Sequence, residues 1–100
     1  MFIAMNRFSV APGRGEEFEQ VWRTRDSRLR EVPGFVSFLL LRGPATAESL
    51  LYVSHTTWTS RAAFEAWTRS EPFRAAHAGA GETRSLYLGP PQFEGFDVKI

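Results

Sequence analysis

Three side chains could do chemistry together if the fold collects them: the carboxamide of Asn6, the indole of Trp67 and the imidazole of His77. The last two belong to one stretch, Ala66-Trp67-Thr68-Arg69-Ser70-Glu71-Pro72-Phe73-Arg74-Ala75-Ala76-His77, in which Ser70-Glu71-Pro72 interrupts the helical pattern. An imidazole can ligate a metal or move a proton, given a neighbour that fixes its tautomer. A carboxamide on an apolar strand face can donate into a pocket, and an indole can wall a planar ligand. Arg25 joins them because it lies on the apolar stripe of Phe18, Val21 and Trp22, where a guanidinium must snorkel or meet an anion. Each also has a plainer reading. Asn6 could bond a neighbouring backbone group, Trp67, Trp22 and Phe64 could be core, and His77 could be a helix C-terminal residue before Gly79.

Composition narrows the chemistry further. The absence of cysteine removes disulfides, thiolate nucleophiles and zinc-finger sites, which leaves His55 and His77 as the two imidazole ligands on offer. A net charge of +1 gives no field suited to nucleic acid, and no apolar run approaches the roughly 20 residues of a membrane span. Residues 1–100 are therefore expected to form one domain with no nucleic-acid or membrane partner, in the cytoplasm. No glycine-rich phosphate loop, Ser-His-Asp order or paired carboxylates stand out, and Gly13-Arg14-Gly15 reads as a turn.

The elements that must position these groups follow from periodicity. Alternation over Met1 to Val10 puts Phe2, Ala4, Asn6 and Phe8 on one face of a first strand, with Ile3, Met5, Arg7 and Ser9 on the other. Three-and-four spacing predicts a helix from Glu16 to about Val32, ended by Pro33-Gly34. Phe35 to Arg42 reads as a second strand, Gly43 to Ser49 as a hairpin loop and Leu50 to Trp58 as a third strand, with His55 facing away from Tyr52, Ser54 and Trp58. Ser60 should cap a helix over Arg61 to Thr68, and Ser70-Glu71-Pro72 should start a short helix carrying Phe73 and His77. Ala78 to Gln92 reads as a long loop with a short ordered patch at Leu86-Tyr87-Leu88, and Phe93 to Ile100 as a fourth strand. The order β-α-β-β-α-β predicts an α+β, ferredoxin-like antiparallel sheet. Two helices cover one sheet face, so the apolar residues on the other face of strands two and three predict a two-fold homodimer, a dimeric α+β barrel, which light scattering after size exclusion should report.

Taken together, Asn6-Arg7, the run from Phe18 to Arg25, Pro33-Gly34-Phe35, Phe64-Glu65-Ala66-Trp67 and Phe73-Arg74-Ala75-Ala76-His77-Ala78 resemble the IsdG-type heme-degrading monooxygenases of the antibiotic biosynthesis monooxygenase superfamily. The resemblance covers nearly the whole chain. It implies that His77 is the proximal ligand of heme iron, that Asn6 supplies the distal amide on the oxygen-binding side, and that Trp67 presses on the porphyrin and ruffles it. It further implies that Trp22, Arg25, Phe64 and Phe73 line the heme pocket, with Arg25 at a propionate or at the pocket mouth. Heme would be cofactor and substrate at once, consumed with O2 and an external electron donor, either a reductase or a small reductant, to release iron. Two other functions stay open on the sequence: a cofactor-independent monooxygenase of the same superfamily acting on a small aromatic or quinol, and a heme-binding dimer without turnover.

Overall fold

The computed structural model describes residues 1–25, 28–71, 73 and 86–100. Four strands and two α-helices follow one another as β1 (Phe2–Val10), α1 (Gly15–Thr24), β2 (Phe35–Ala45), β3 (Leu50–Trp58), α2 (Arg61–Thr68) and β4 (Gln92–Asp97). The strands form one sheet in the order β2-β3-β1-β4, and all three neighbouring pairs are antiparallel. This is the ferredoxin-like α+β arrangement that the sequence predicts.

Cross-strand register sets the face on which the helices lie. Phe2 stands opposite Trp58, Ala4 opposite Thr56, Asn6 opposite Ser54 and Phe8 opposite Tyr52, so the alternation of both central strands puts these residues on one face. Both helices pack there: Phe18, Val21 and Trp22 of α1 against Phe8, Val10, Leu50 and Tyr52, and Ala63, Phe64 and Trp67 of α2 against Phe2, Ala4 and Trp58. Trp58, Tyr52, Phe2, Phe18 and Val10 are fully buried. Burying a side chain of this class stabilises by about 1.5–3 kcal/mol. The opposite face carries Leu39, Leu41 and Phe96 at 53%, 39% and 45% exposure, the apolar surface anticipated for the uncovered side.

One hydrogen bond ties α1 to the sheet with particular consequence. The Tyr52 hydroxyl donates to Glu19 Oε2 at 2.5 Å, and Arg23 donates to the other oxygen of that carboxylate at 3.2 Å. Burial, then the Glu19 bond, pushes the Tyr52 hydroxyl up to about 12 from 10.0. The unfolded chain therefore releases this proton first, and above pH 10 it binds fewer protons than the native state. Stability contributed by Tyr52 is fully present below about pH 10 and is lost as pH rises toward about 12. Urea midpoints measured from pH 9 to 12 should fall for the wild type and lose most of that slope in Tyr52→Phe.

Three boundaries differ from the periodic reading. The helix expected from Glu16 to Val32 ends at Thr24: Arg25 is extended, Arg28 is left-handed at φ 52, and Leu29–Glu31 form a separate 3-10 turn. Thr24 Oγ1 bonds back to the carbonyls of Gln20 and Val21 at 3.0 and 3.3 Å, a competing bond of the kind that loosens a helix end. The second strand continues through Gly43-Pro44-Ala45 instead of stopping at Arg42, with register shifts between Phe35 and Ser37 and between Arg42 and Ala45. The fourth strand is Gln92–Asp97 rather than Phe93 to Ile100.

Other expectations hold where the chain is described. Ser60 Oγ caps α2 by accepting from Ala63 N at 3.1 Å. Leu86-Tyr87-Leu88 docks on the end of β1: Ala11 N donates to Leu86 O and Leu88 N to Ser9 O, each at 2.9 Å, and Leu86 is buried. No helix among the described residues is long and apolar enough to cross a membrane.

Candidate functional site

The helix-side core is divided. Phe8, Val10, Phe18, Leu50, Tyr52 and Leu86 make one buried cluster beneath α1, and Phe2, Ala4, Leu29 and Trp58 make a second beneath α2. Between them runs the cross-strand pair Asn6 and Ser54, with Phe93 of β4 on the other side of Asn6. Asn6 is half-buried and Ser54 buried, so the middle of the sheet presents a carboxamide and a hydroxyl where large apolar side chains stand above and below. A carboxamide in that place has donors and acceptors facing the space between the helices. The clusters meet at the β2 edge, where Trp22 stacks on Phe38 with centroids 5.5 Å apart and planes at 20°.

The α2 side is an aromatic wall. The half-buried Trp67 ring lies 5.4 Å from Trp58, 6.2 Å from Phe64 and 4.9 Å from Phe73, the last edge-on at 84°. Phe64 in turn stacks on Phe93 at 5.5 Å and 6°. The break after α2 is built by Ser70, whose Oγ donates to Trp67 O at 2.6 Å and accepts from Phe73 N at 3.3 Å. That hydroxyl holds Phe73 against the indole. Trp67, Phe64 and Phe73, three of the predicted pocket residues, are thus brought together.

On the α1 side, the early end of the helix redirects Arg25. It does not continue the apolar stripe as a helical residue. Its extended backbone turns the guanidinium over Trp22, with Cζ 4.3 Å from the ring centroid. Trp22 and Arg25 border a cleft of about 940 Å³ that also takes in Arg28, Leu29, Arg30, Phe35 and Phe38. Arg28 is paired with Glu31 at 3.2 Å. Arg25 and Arg30 have no carboxylate partner among the described residues. Aromatic rings and arginines line this cleft together with Glu31, and Asn6, Phe64, Trp67 and Phe73 are not among its described lining residues. Trp22 Nε1 is buried with no hydrogen-bond partner among the described residues.

His77 lies outside the described residues, as does most of the short helix and loop expected around it. Among the described residues no group of three or more histidine or acidic side chains could hold a metal ion. His55 is on the far face of the sheet, opposite Met5 and Leu39, as its alternation predicts. Sequence reasoning missed Phe38, Phe93, Arg28 and Arg30. The two phenylalanines sit in strands whose neighbours are fixed by sheet order, and the arginines follow the unforeseen end of α1.

Residues 1–79 match the profile of the family described as antibiotic biosynthesis monooxygenase. A Mycobacterium tuberculosis protein named heme oxygenase (mycobilin-producing) is 38% identical over 77 residues, which are 77% of this chain and 70% of that protein. The solved structure of the heme degrader MhuD from Mycobacterium tuberculosis, with two hemes bound in its active site, aligns with TM-score 0.76 and 33% identity over 100% of this chain and 97% of that one. SnoaB, a cofactor-independent oxygenase from Streptomyces nogalater, aligns with TM-score 0.70 and 29% identity over 99% of this chain and 93% of its own. The same fold thus serves proteins with and without heme, and the side chains in the gap must decide between them.

Proposed function

We propose, from the premise that the chain belongs to the antibiotic biosynthesis monooxygenase family, that it is a heme-degrading monooxygenase that opens the porphyrin and frees its iron. The observation that carries this reading is the divided core, in which the Asn6–Ser54 pair separates the two clusters and Trp67 stands with Phe64 and Phe73 on the α2 side. The 38% identity to a mycobilin-producing heme oxygenase supports it.

When bound, heme supplies a redox-active iron and the carbon that is oxidised, using O2 and electrons from an external reductase or small reductant. The residues of this chain bind, orient and distort. His77 would hold the iron. Asn6, fixed on the central strand, would offer its amide N–H to bound oxygen as a preorganised donor. Trp67, backed by Trp58, Phe64 and Phe73, has little room to retreat into the core and would press on a porphyrin seated against it. Trp22 and Phe73 close the apolar walls, and Arg25 offers its guanidinium to a propionate. A second copy of the chain covers the apolar sheet face of Leu39, Leu41 and Phe96, making the α+β barrel dimer.

Titration with hemin followed by ascorbate in air tests the whole reading. A Soret band should form and then bleach with iron release. Asn6→Ala should keep the heme and slow bleaching by about 10²-fold or more, the cost of removing one preorganised donor. Bleaching of Asn6→Ala at the wild-type rate would remove the oxygen-side role. Binding without bleaching would favour a non-catalytic heme-binding dimer, and no binding would favour cofactor-independent oxygenation of a small aromatic or quinol.

A further inference from the structure

The sheet face turned away from the helices is apolar at its centre and charged only toward β4. Register places Leu39 of β2, His55 of β3 and Met5 of β1 in one row across it, with Leu41 and Phe96 on that same face. Leu39, Leu41 and Phe96 are exposed and Met5 is half-buried, so this side of the sheet lacks the second layer that an apolar face requires. A second copy of the chain laid on that face closes over His55. The charged side chains there are Arg7 of β1 and Glu94 of β4, paired with each other at 4.0 Å, while β2 presents none and β3 only His55. Glu94 stands opposite Met5, two strand spacings or roughly 10 Å from His55. His55 thus has no carboxylate beside it on β1 or β2.

Histidine is the side chain that changes charge between about pH 5 and 8, and its protonated ring carries an N–H on both nitrogens. In a single copy Nδ1 of His55 is buried but the residue as a whole is only half-buried, so it keeps contact with water. Covering the face removes that water and would leave an imidazolium among leucine, methionine and phenylalanine side chains, a burial that favours the neutral ring. We propose that the dimer forms with His55 neutral, and that protonation of His55 as pH falls from about 8 toward 5.5 drives the two copies apart. Separation takes up one proton on each copy, so dissociation strengthens in acid. This rests on the dimer of the proposed function and is independent of heme.

Sedimentation velocity of the full chain at micromolar concentration is the test. The wild type should be a dimer at about pH 8, and its dissociation constant should rise at least about tenfold by about pH 5.5 with the circular dichroism unchanged. His55→Gln and His55→Leu, which cannot take up the proton, should stay dimeric at both pH values. A wild type equally dimeric at both, one that tightens in acid, or variants that dissociate as the wild type does overturn the proposal and leave the dimer standing. A wild type that is monomeric at about pH 8 overturns the dimer and this proposal together. Should neither variant fold, proton spectra of the wild type decide: the titration midpoint of the imidazole with contacts to Met5 and Leu39 protons should fall as the protein is concentrated from micromolar to millimolar. A midpoint independent of concentration overturns the proposal.

Discussion

Hemin added to the His77→Ala variant is expected to give no ligated Soret band and an affinity at least about a hundredfold below wild type. Losing a group that merely supports a metal ligand costs 10–100-fold, and losing the ligand itself costs more. The size of the effect follows from the scarcity of substitutes. The chain has no cysteine and one other histidine, His55. His55 lies on the sheet face away from Asn6, between Met5 and Leu39 of the neighbouring strands, and cannot reach the gap between the helices. No metal-binding group of side chains exists among the described residues to take over. His55→Ala is the matched control and should retain the band. Wild-type affinity in His77→Ala would refute the ligand assignment.

Gly34→Ala should cost about 3 kcal/mol of stability, the sum of a left-handed backbone for a non-glycine residue and an overpacked contact. Gly34 has φ +85, and a methyl there would collide with Ala63 Cβ and lie 2.9 Å from Thr59 Oγ1. Gly34 O also accepts from Thr59 N at 2.8 Å, so this residue stitches the start of β2 to the start of α2. Prying them apart would displace Phe64 and Trp67, and heme affinity should fall along with the urea midpoint. Gly13→Ala separates the two causes, because Gly13 has φ +79 and open space where the methyl would be. It should cost only the backbone part, about 1–2 kcal/mol. Equal losses in the two variants would refute the contact with α2.

Much of the fold was legible because alternation and capping are local. The faces of β1 and β3 follow from a period of two, whereas the pairing of Asn6 with Ser54 is a matter of register that the period leaves open. Ser60 announces α2 for the same local reason. Periodicity fails where the chain changes conformation without changing its spacing. Leu29 keeps the stripe of α1 and is buried, but it arrives there through a left-handed Arg28 and a 3-10 turn. Gly43-Pro44 reads as a turn, yet β2 is an edge strand and tolerates a proline that a central strand would not. In the site, the break at Ser70 between Trp67 and Phe73 was legible, but not the edge-on contact of the two rings. The stacking of Trp22 on Phe38 was not legible either, because it depends on which strand lies at which edge.

The row of Asn6 and Ser54 leaves each helix answerable to its own aromatic half, with one shared seam at Trp22 and Phe38. A flat ligand seated over that row would touch both halves and act as the keystone of the molecule, joining α1 to α2 through atoms that are not polypeptide. Loading would then be felt as cooperativity, two small cores melting as one. Destruction of the ligand would return the protein to its looser, divided form, so that turnover itself would loosen the grip on the product.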